Sequence, residues 1–396
     1  MTQRSRDFEF GQIREDELIP YATLLDHAFA DNPSPTQDPT WQKQAGLDSF
    51  RVVRESGSLA SGMGMLRMGQ WFGGRSVPIS GIVAVVVGPE HRGGGVASFM
   101  MRSALAEMRQ DGLALSALYA STQPVYRRVG YEQAGVSVGY RLPLVSLPAR
   151  DKSLTIRAAV PADEPTMHRL FTERARGGSG NLDRHPMMWE WLLRERPPVN
   201  AYIAERDGVA EGYVVYDQRT SPRDTGKIIN TRDLVAVTPD AGRCLLSFLA
   251  DHRRVAQHLA WNGPAADPLF LQIAEQDYAV PDFQQWLIRI LNVPFALTAR
   301  GYPAGVGAEI HLAVRDDILP ENDGPFVLTV ADGRAEVHPG GDGRVTMDVR
   351  GLSPLYSGYL PPSALKTVGY LDGPDEDLAL LQTVFAGPAP WMPDHF

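Results

Sequence analysis

Val85-Val86-Val87-Gly88-Pro89-Glu90-His91-Arg92-Gly93-Gly94-Gly95-Val96-Ala97 is the run whose reading decides the fold. Apolar, mostly β-branched residues lead into it and predict a strand over 79–88. After it, Ala97, Met100, Met101, Ala104, Leu105 and Met108 recur at the spacing of one helical face, so a helix is expected over 93–110. The glycines then lie where a strand hands over to the first turn of a helix. That turn leaves backbone N–H groups unpaired and carries the positive end of the helix dipole. Glycine lets a phosphate approach the backbone closely, and Arg92 adds a cation. The loop is expected to hold a phosphorylated ligand, most simply a diphosphate. No Gly-Lys-Ser/Thr follows, so it is not a P-loop. The glycines are consecutive, and no suitable acid lies about 20 residues on, so it is not the dinucleotide fingerprint either.

Working outward, strands are expected near 50–55, 59–68, 113–120 and 134–142, which closes a first α/β segment at about residue 145. Pro143 to Ser153 reads as a linker. A second segment, 154–295, opens with a strand and a helix that has Asp163 near its cap. It continues with a hairpin around Asp207-Gly208 and helices over 241–258 and 282–291. The third segment, 296–396, reads as a meander turning at Asp332-Gly333 and Gly340–Gly343. Helices follow over 361–368 and 375–385, and the Pro-stiffened end GPAPWMPDHF is not helical. Leu234-Val235-Ala236-Val237-Thr238-Pro239 repeats the strand-then-Pro pattern of the first segment, again before an amphipathic helix. The second segment thus reads as a second copy of the first. Its Arg-Gly-x-Gly loop is gone, and Asp240 stands where it would repel phosphate.

The composition is that of a soluble α/β protein of two or three domains: 396 residues, 43% hydrophobic and 21% charged. Of 38 basic and 47 acidic residues, 5 and 14 fall after residue 300, so the first 300 balance and the net −9 sits in the last segment. With no basic block, a general nucleic-acid binder is not expected. The acidic end suits a cationic partner or is a solvated surface. The single cysteine, Cys244, leaves no intrachain disulfide and no Cys-based zinc site, which fits a reducing cytoplasm. No His-Glu-x-x-His occurs, and no metal is expected. No apolar run is long enough to span a bilayer. Gly135-Val136-Ser137-Val138-Gly139 matches a hydrolase elbow, but it lies in alternating β sequence with no helix after it.

The spacing Val-x-Val-x-Pro-x-x-Arg-Gly-x-Gly-x-Ala resembles the acetyl-CoA pyrophosphate loop of the GNAT acetyltransferases. A second signature agrees: the strand LALSALYA, then Ser121-Thr122, then Tyr126 to Tyr131 with a Gly between, is similar to the GNAT segment beside the CoA thiol. Two such copies, a third α/β segment and an aromatic last residue resemble the enhanced intracellular survival (Eis) family across essentially the whole chain. The resemblance implies a catalytic GNAT domain over 1–145, a degenerate one over 154–295 and a sterol-carrier-like domain over 296–396. It also implies a hexamer that acetylates amines of aminoglycosides and related cations, an activity tied to antibiotic resistance. By the same resemblance Val85, Val86, Val87, Arg92, Gly93, Gly94, Gly95, Val96, Ala97 and Ser98 hold acetyl-CoA, and Ser121 and Thr122 contact its arm. Tyr126 is the general acid, and the α-carboxylate of Phe396 the general base. Beside these stand the plainer readings of Tyr126 as a core aromatic and of Phe396 as a frayed end. Asp26 and Asp394 are candidates to hold a cationic substrate, or solvated acids. The second copy is expected to bind no CoA. Acetylation of protein lysine and CoA sensing without turnover are the alternatives.

Overall fold

The computed structural model describes residues 7–29, 39–148, 150–194, 199–220 and 226–396; Ala149, in the expected linker, lies outside them. The first copy runs β1 (Phe8–Gln12), α1 (Leu18–Phe29), α2 (Thr40–Ala45), β2 (Phe50–Glu55), β3 (Ser58–Phe72), β4 (Arg75–Val87), α3 (Val96–Gln110), β5 (Leu115–Tyr119), α4 (Gln123–Arg127) and β6 (Glu132–Pro143). The second runs β7 (Thr155–Ala158), α5 (Glu164–Gly177), β8 (Leu182–Asp183), α6 (Pro186–Arg194), β9 (Asn200–Arg206), β10 (Val209–Thr220), β11 (Lys227–Ala236), α7 (Pro239–Ala250), β12 (His258–Gly263) and β13 (Ala279–Ile290). Expected strands and helices recur here with one exception.

The exception is β13. Its sequence PDFQQWLIRI was expected to be a helix over 282–291, and it is a strand. Trp286 to Ile290 are all buried, because the strand lies inside a sheet covered on both faces. A strand buried on both faces shows a continuous apolar run instead of alternation, and such a run does not distinguish strand from helix. The helix expected over 241–258 also ends early, at Ala250, in a short 3-10 turn over Asp251–Arg254.

β13 decides how the two copies are joined. The described residues form one thirteen-stranded sheet, ordered β1-β2-β3-β4-β5-β13-β6-β12-β11-β10-β9-β7, with β8 added on β3. The last strand of the second copy inserts beside β5 of the first, antiparallel, with Trp286 opposite Tyr119. The last strand of the first copy lies beside β12 of the second, antiparallel, with His258 opposite Pro143. The copies therefore exchange their final strands.

The third segment has a five-stranded sheet, β16-β15-β14-β17-β18, with helices packed on it. Its elements are α8 (Val293–Ala299), β14 (Ala308–Arg315), β15 (Gly324–Ala331), β16 (Arg334–Pro339), β17 (Val345–Asp348), α9 (Val349–Ser357), α10 (Pro362–Thr367), β18 (Leu371–Asp372) and α11 (Asp375–Val384). Its core is continuous with the face of the large sheet, running from Phe72, Ile79 and Trp286 to Leu352 and Leu381. Beyond α11 the chain leaves this domain and crosses that face. Val136 N donates to Pro390 O, Met392 N to Val136 O, and Trp391 N to Ser179 O.

Candidate active site

The first copy opens into a fork. β4 and β5 are parallel neighbours only over Ile79–Gly81 and Leu115–Ala117. Beyond Gly81 the strands part, so the β5-facing edge of Ile82 to Val87 has lost its partner strand. On the other edge β4 bulges: Gly62 faces Val86 and Gly64 faces Val83, which sets Ala84 and Val85 against Met63 alone. Ala84 takes the left-handed region at φ 52, and the buried Tyr21 hydroxyl holds its carbonyl at 2.7 Å. A bulge at the mouth of a fork turns backbone N–H groups toward the gap.

The glycine loop closes the same mouth. Gly88 N donates to Ala60 O at 2.9 Å, and His91 Nδ1 lies 2.5 Å from Glu55 Oε2, which ties the Pro89–His91 turn to the end of β2. Gly93 and Gly95 have φ of 73 and 87, and a Cβ at either would meet nothing within 4 Å. Here glycine is required by backbone conformation, not by space. Gly95 caps α3 with no side-chain hydrogen bond, so the helix start offers its N–H groups uncapped. Arg92 is exposed beside it, and its Nε reaches Val87 O at 3.4 Å. Val85 and Val87 are half-buried along the prong, Val86 and Val96 are buried behind it, and Gly94, Ala97 and Ser98 complete the turn.

Ser121 and Thr122 sit exposed just past the other prong. Thr122 precedes α4 without using its hydroxyl as a cap. Tyr126 follows on α4, 6% exposed, its ring 6.0 Å from Tyr131 and packed with α3 and Leu287. Burial pushes its hydroxyl up to about 12. That hydroxyl takes no hydrogen-bond partner among the described residues.

The tail ends at the crotch of the fork. A Cβ on Gly81 would come within 2.9 Å of the Phe396 ring, which packs there at the last residue before β4 and β5 part. Tyr119, the end of β5, stacks on His395 at 4.5 Å, meets Phe396 edge-on at 5.9 Å and donates to Asp394 O at 3.0 Å. Asp394 does not face an open cleft. Its Oδ1 accepts from Arg184 Nε at 2.8 Å, and Arg184 turns its other arm to Asp233 on β11, at 2.7 Å. Burial pushes the Asp394 carboxyl up in spite of that guanidinium, and its Oδ2 is buried without a partner among the described residues. Asp394 therefore anchors the tail. Asp26 stands near the C-terminal end of α1, one turn and a half beyond Tyr21, half-buried. Two groups escaped the sequence reading. Arg184 belongs to no motif, and Asp282, which shares an open cavity with His395, lies on the strand read as a helix.

The second copy keeps the fork and loses the grip. β11 and β12 are parallel neighbours only over Ile228–Asn230 and His258–Ala260, and β11 bulges at Arg232. At the start of α7, however, Thr238 caps the helix by accepting from Ala241 N. Asp240 in the first turn pairs with Arg206 and Arg243 and sets a negative charge at the helix start, where it would repel a phosphate.

Comparison with known proteins matches this layout. Models of the acetyltransferase (GNAT) domain match residues 9–134 and 180–290, and a sterol carrier protein domain matches 293–393. A GCN5-related N-acetyltransferase from Anabaena variabilis is similar at 35% identity with a TM-score of 0.95, covering 98% of this chain and 100% of that one. One from Kribbella flavida is similar at 30% identity and 0.88, covering 99% of each. The chain belongs to the GCN5-related N-acetyltransferases, enzymes that use acetyl-CoA, in the Eis-type arrangement of two such copies followed by a sterol-carrier-like domain. The N-acetyltransferase Eis of Mycobacterium tuberculosis is 29% identical over 95% of this chain and 96% of that protein.

Proposed function

We propose that this enzyme transfers the acetyl group of acetyl-CoA to an amine of a cationic small molecule of the aminoglycoside kind, in the fork of the first copy. The observation that carries the reading is the convergence on one fork of the uncapped glycine loop, the bulged prong Val85–Val87 and the chain's last residue. The loop N–H groups and Arg92 take the diphosphate, and Ser121 and Thr122 take the arm. The amine nitrogen attacks the thioester carbon while a freed N–H of the bulged prong holds the carbonyl oxygen. As the C–S bond breaks, the thiolate takes the Tyr126 proton, and the amine's surplus proton passes to the Phe396 carboxylate. A phenol near 12 is a weak acid for a free thiolate near 8.5, but the burial that raises the phenol raises the thiol beside it in the same sense. Tyr126 is thus both a core aromatic and the acid. The acidic last segment suits a cationic acceptor.

The test is thiol release from acetyl-CoA with aminoglycosides, polyamines and lysine peptides, run beside a variant extended by a few residues beyond Phe396. Turnover on aminoglycosides that the extension abolishes, with CoA affinity kept, is the expected result. Turnover confined to peptides would move the acceptor, and an active extended variant would remove the carboxylate from the mechanism. Saturable CoA binding with no turnover on any amine would instead mark a sensor.

A further inference from the structure

The fork of the second copy is not filled. It encloses a cavity of about 340 Å³, within the range of small-ligand sites. Its walls are largely apolar: Leu234 on one prong, Trp261 on the other, and Trp391 and Pro393 of the tail, with prolines around the mouth. Two polar atoms among its lining residues are buried and have no hydrogen-bond partner among the described residues, Arg174 Nε and Thr231 Oγ1. The nearby acids are already committed. Asp233 accepts from Arg184 at 2.7 Å, Tyr213 at 2.8 Å and Arg174 at 3.4 Å. Asp267 accepts from Trp261 Nε1 and Leu269 N, each at 2.9 Å. What these two atoms lack is a partner within reach. An unmet buried donor costs on the order of 1–3 kcal/mol, more when the group is charged. A guanidinium N–H and a hydroxyl without partners, framed by two indoles, fit an oxyanion carried on a flat apolar body.

We infer that the fork of the second copy is a binding site for a small aromatic carboxylate, distinct from the acetyl-CoA site. It takes no nucleotide, because Thr238 caps the helix start and Asp240 puts a negative charge in its first turn, where a diphosphate would sit. The ligand would lie against Trp391 and Pro393, five and three residues from the chain end at the first fork. Binding does not depend on the role proposed for Phe396, so the two readings fail separately.

The probe is 1-anilinonaphthalene-8-sulfonate, titrated by fluorescence into the full chain with CoA saturating so that the first fork is blocked. One site per chain is expected. 2-Naphthoate should displace the probe, and the uncharged 2-naphthalenemethanol should not. Ala266→Trp narrows the cavity at an exposed position where folding is undisturbed, and Arg174→Met removes the cationic donor. Each should weaken the probe roughly tenfold or more, Arg174→Met by the worth of a charged hydrogen bond and Ala266→Trp by filling the space the probe needs. No site beyond the CoA-blocked one, equal displacement by alcohol and carboxylate, or unchanged affinity in Ala266→Trp would each overturn the inference, leaving water as the partner of both donors.

Discussion

As the proposed acid, Tyr126 would meet two demands with one side chain. Its ring belongs to the core under α3, so Tyr126→Phe preserves packing and removes only the proton. Turnover should fall about a hundredfold or more, the usual worth of a positioned acid, with CoA affinity unchanged. Turnover at the wild-type rate would exclude Tyr126 as the acid. The pH dependence has a defined sign. The folded value, about 12, lies above the ordinary 10.0, so the neutral form is the favoured one. Stability tied to it is complete below pH 10 and is lost as pH rises through about 12. A kcat profile from pH 7 to 10 should therefore show no alkaline limb that disappears in Tyr126→Phe. Arg184 makes the complementary point. Its side chain is 2% exposed and bridges Asp394 of the tail to Asp233 of the second copy. Arg184→Met would leave two buried carboxylates facing one gap, at a cost of roughly 3–5 kcal/mol. Asp394→Asn leaves an amide in the same place and should cost much less. Thermal unfolding of the pair separates them, and equal melting temperatures would show that Arg184 is not the anchor.

At the scale of elements, the strand–loop–helix unit was legible because each part carries its own local signal. Valines gave β4, the Met100–Met108 periodicity gave α3, and Gly93 and Gly95 between them hold the positive φ that this loop at the helix start needs. Gly95→Ala should test that reading. With φ at 87 and no neighbour within 4 Å, the substitution costs strain without collision, about 1–2 kcal/mol for an L-residue in the left-handed region. Acetyl-CoA should bind about tenfold more weakly for that loss of pre-shaped loop. Unchanged affinity in isothermal titration would mean that the loop does not shape the site. The fork was not legible, since it is a property of where two strands stop pairing, and no residue announces that. The strand identity of 279–290 was hidden by the burial of its second half, Trp286 to Ile290, on both faces. The tail was legible in part: its prolines and Trp391 marked a stiff extended end, while the residues that receive it, Gly81, Tyr119 and Arg184, gave no sign.

Across the whole molecule, the exchange of β6 and β13 makes the two copies one folding unit. Without β13, β5 is a bare edge, and without β12, β6 has one flank unpaired. Calorimetry should show one cooperative transition for the joined copies. The first copy expressed alone, cut in the connection before β7, should be insoluble or bind no CoA, and co-expression with the remainder should restore binding. A soluble, CoA-binding first copy would overturn this. CoA should titrate at one per chain, because the second copy's helix start is capped by Thr238 and carries Asp240 in its first turn.

The strand exchange also bears on descent. A duplicated gene ordinarily leaves its spare copy free to be deleted once the original performs the task. Here each half builds the centre of the other, so neither can be discarded, while the loops at their tips are under no such obligation. The second half lacks the glycines and has every strand that its twin leans on. Such a merger works as a ratchet: the redundant half is kept as masonry, and a kept half is raw material for a new pocket.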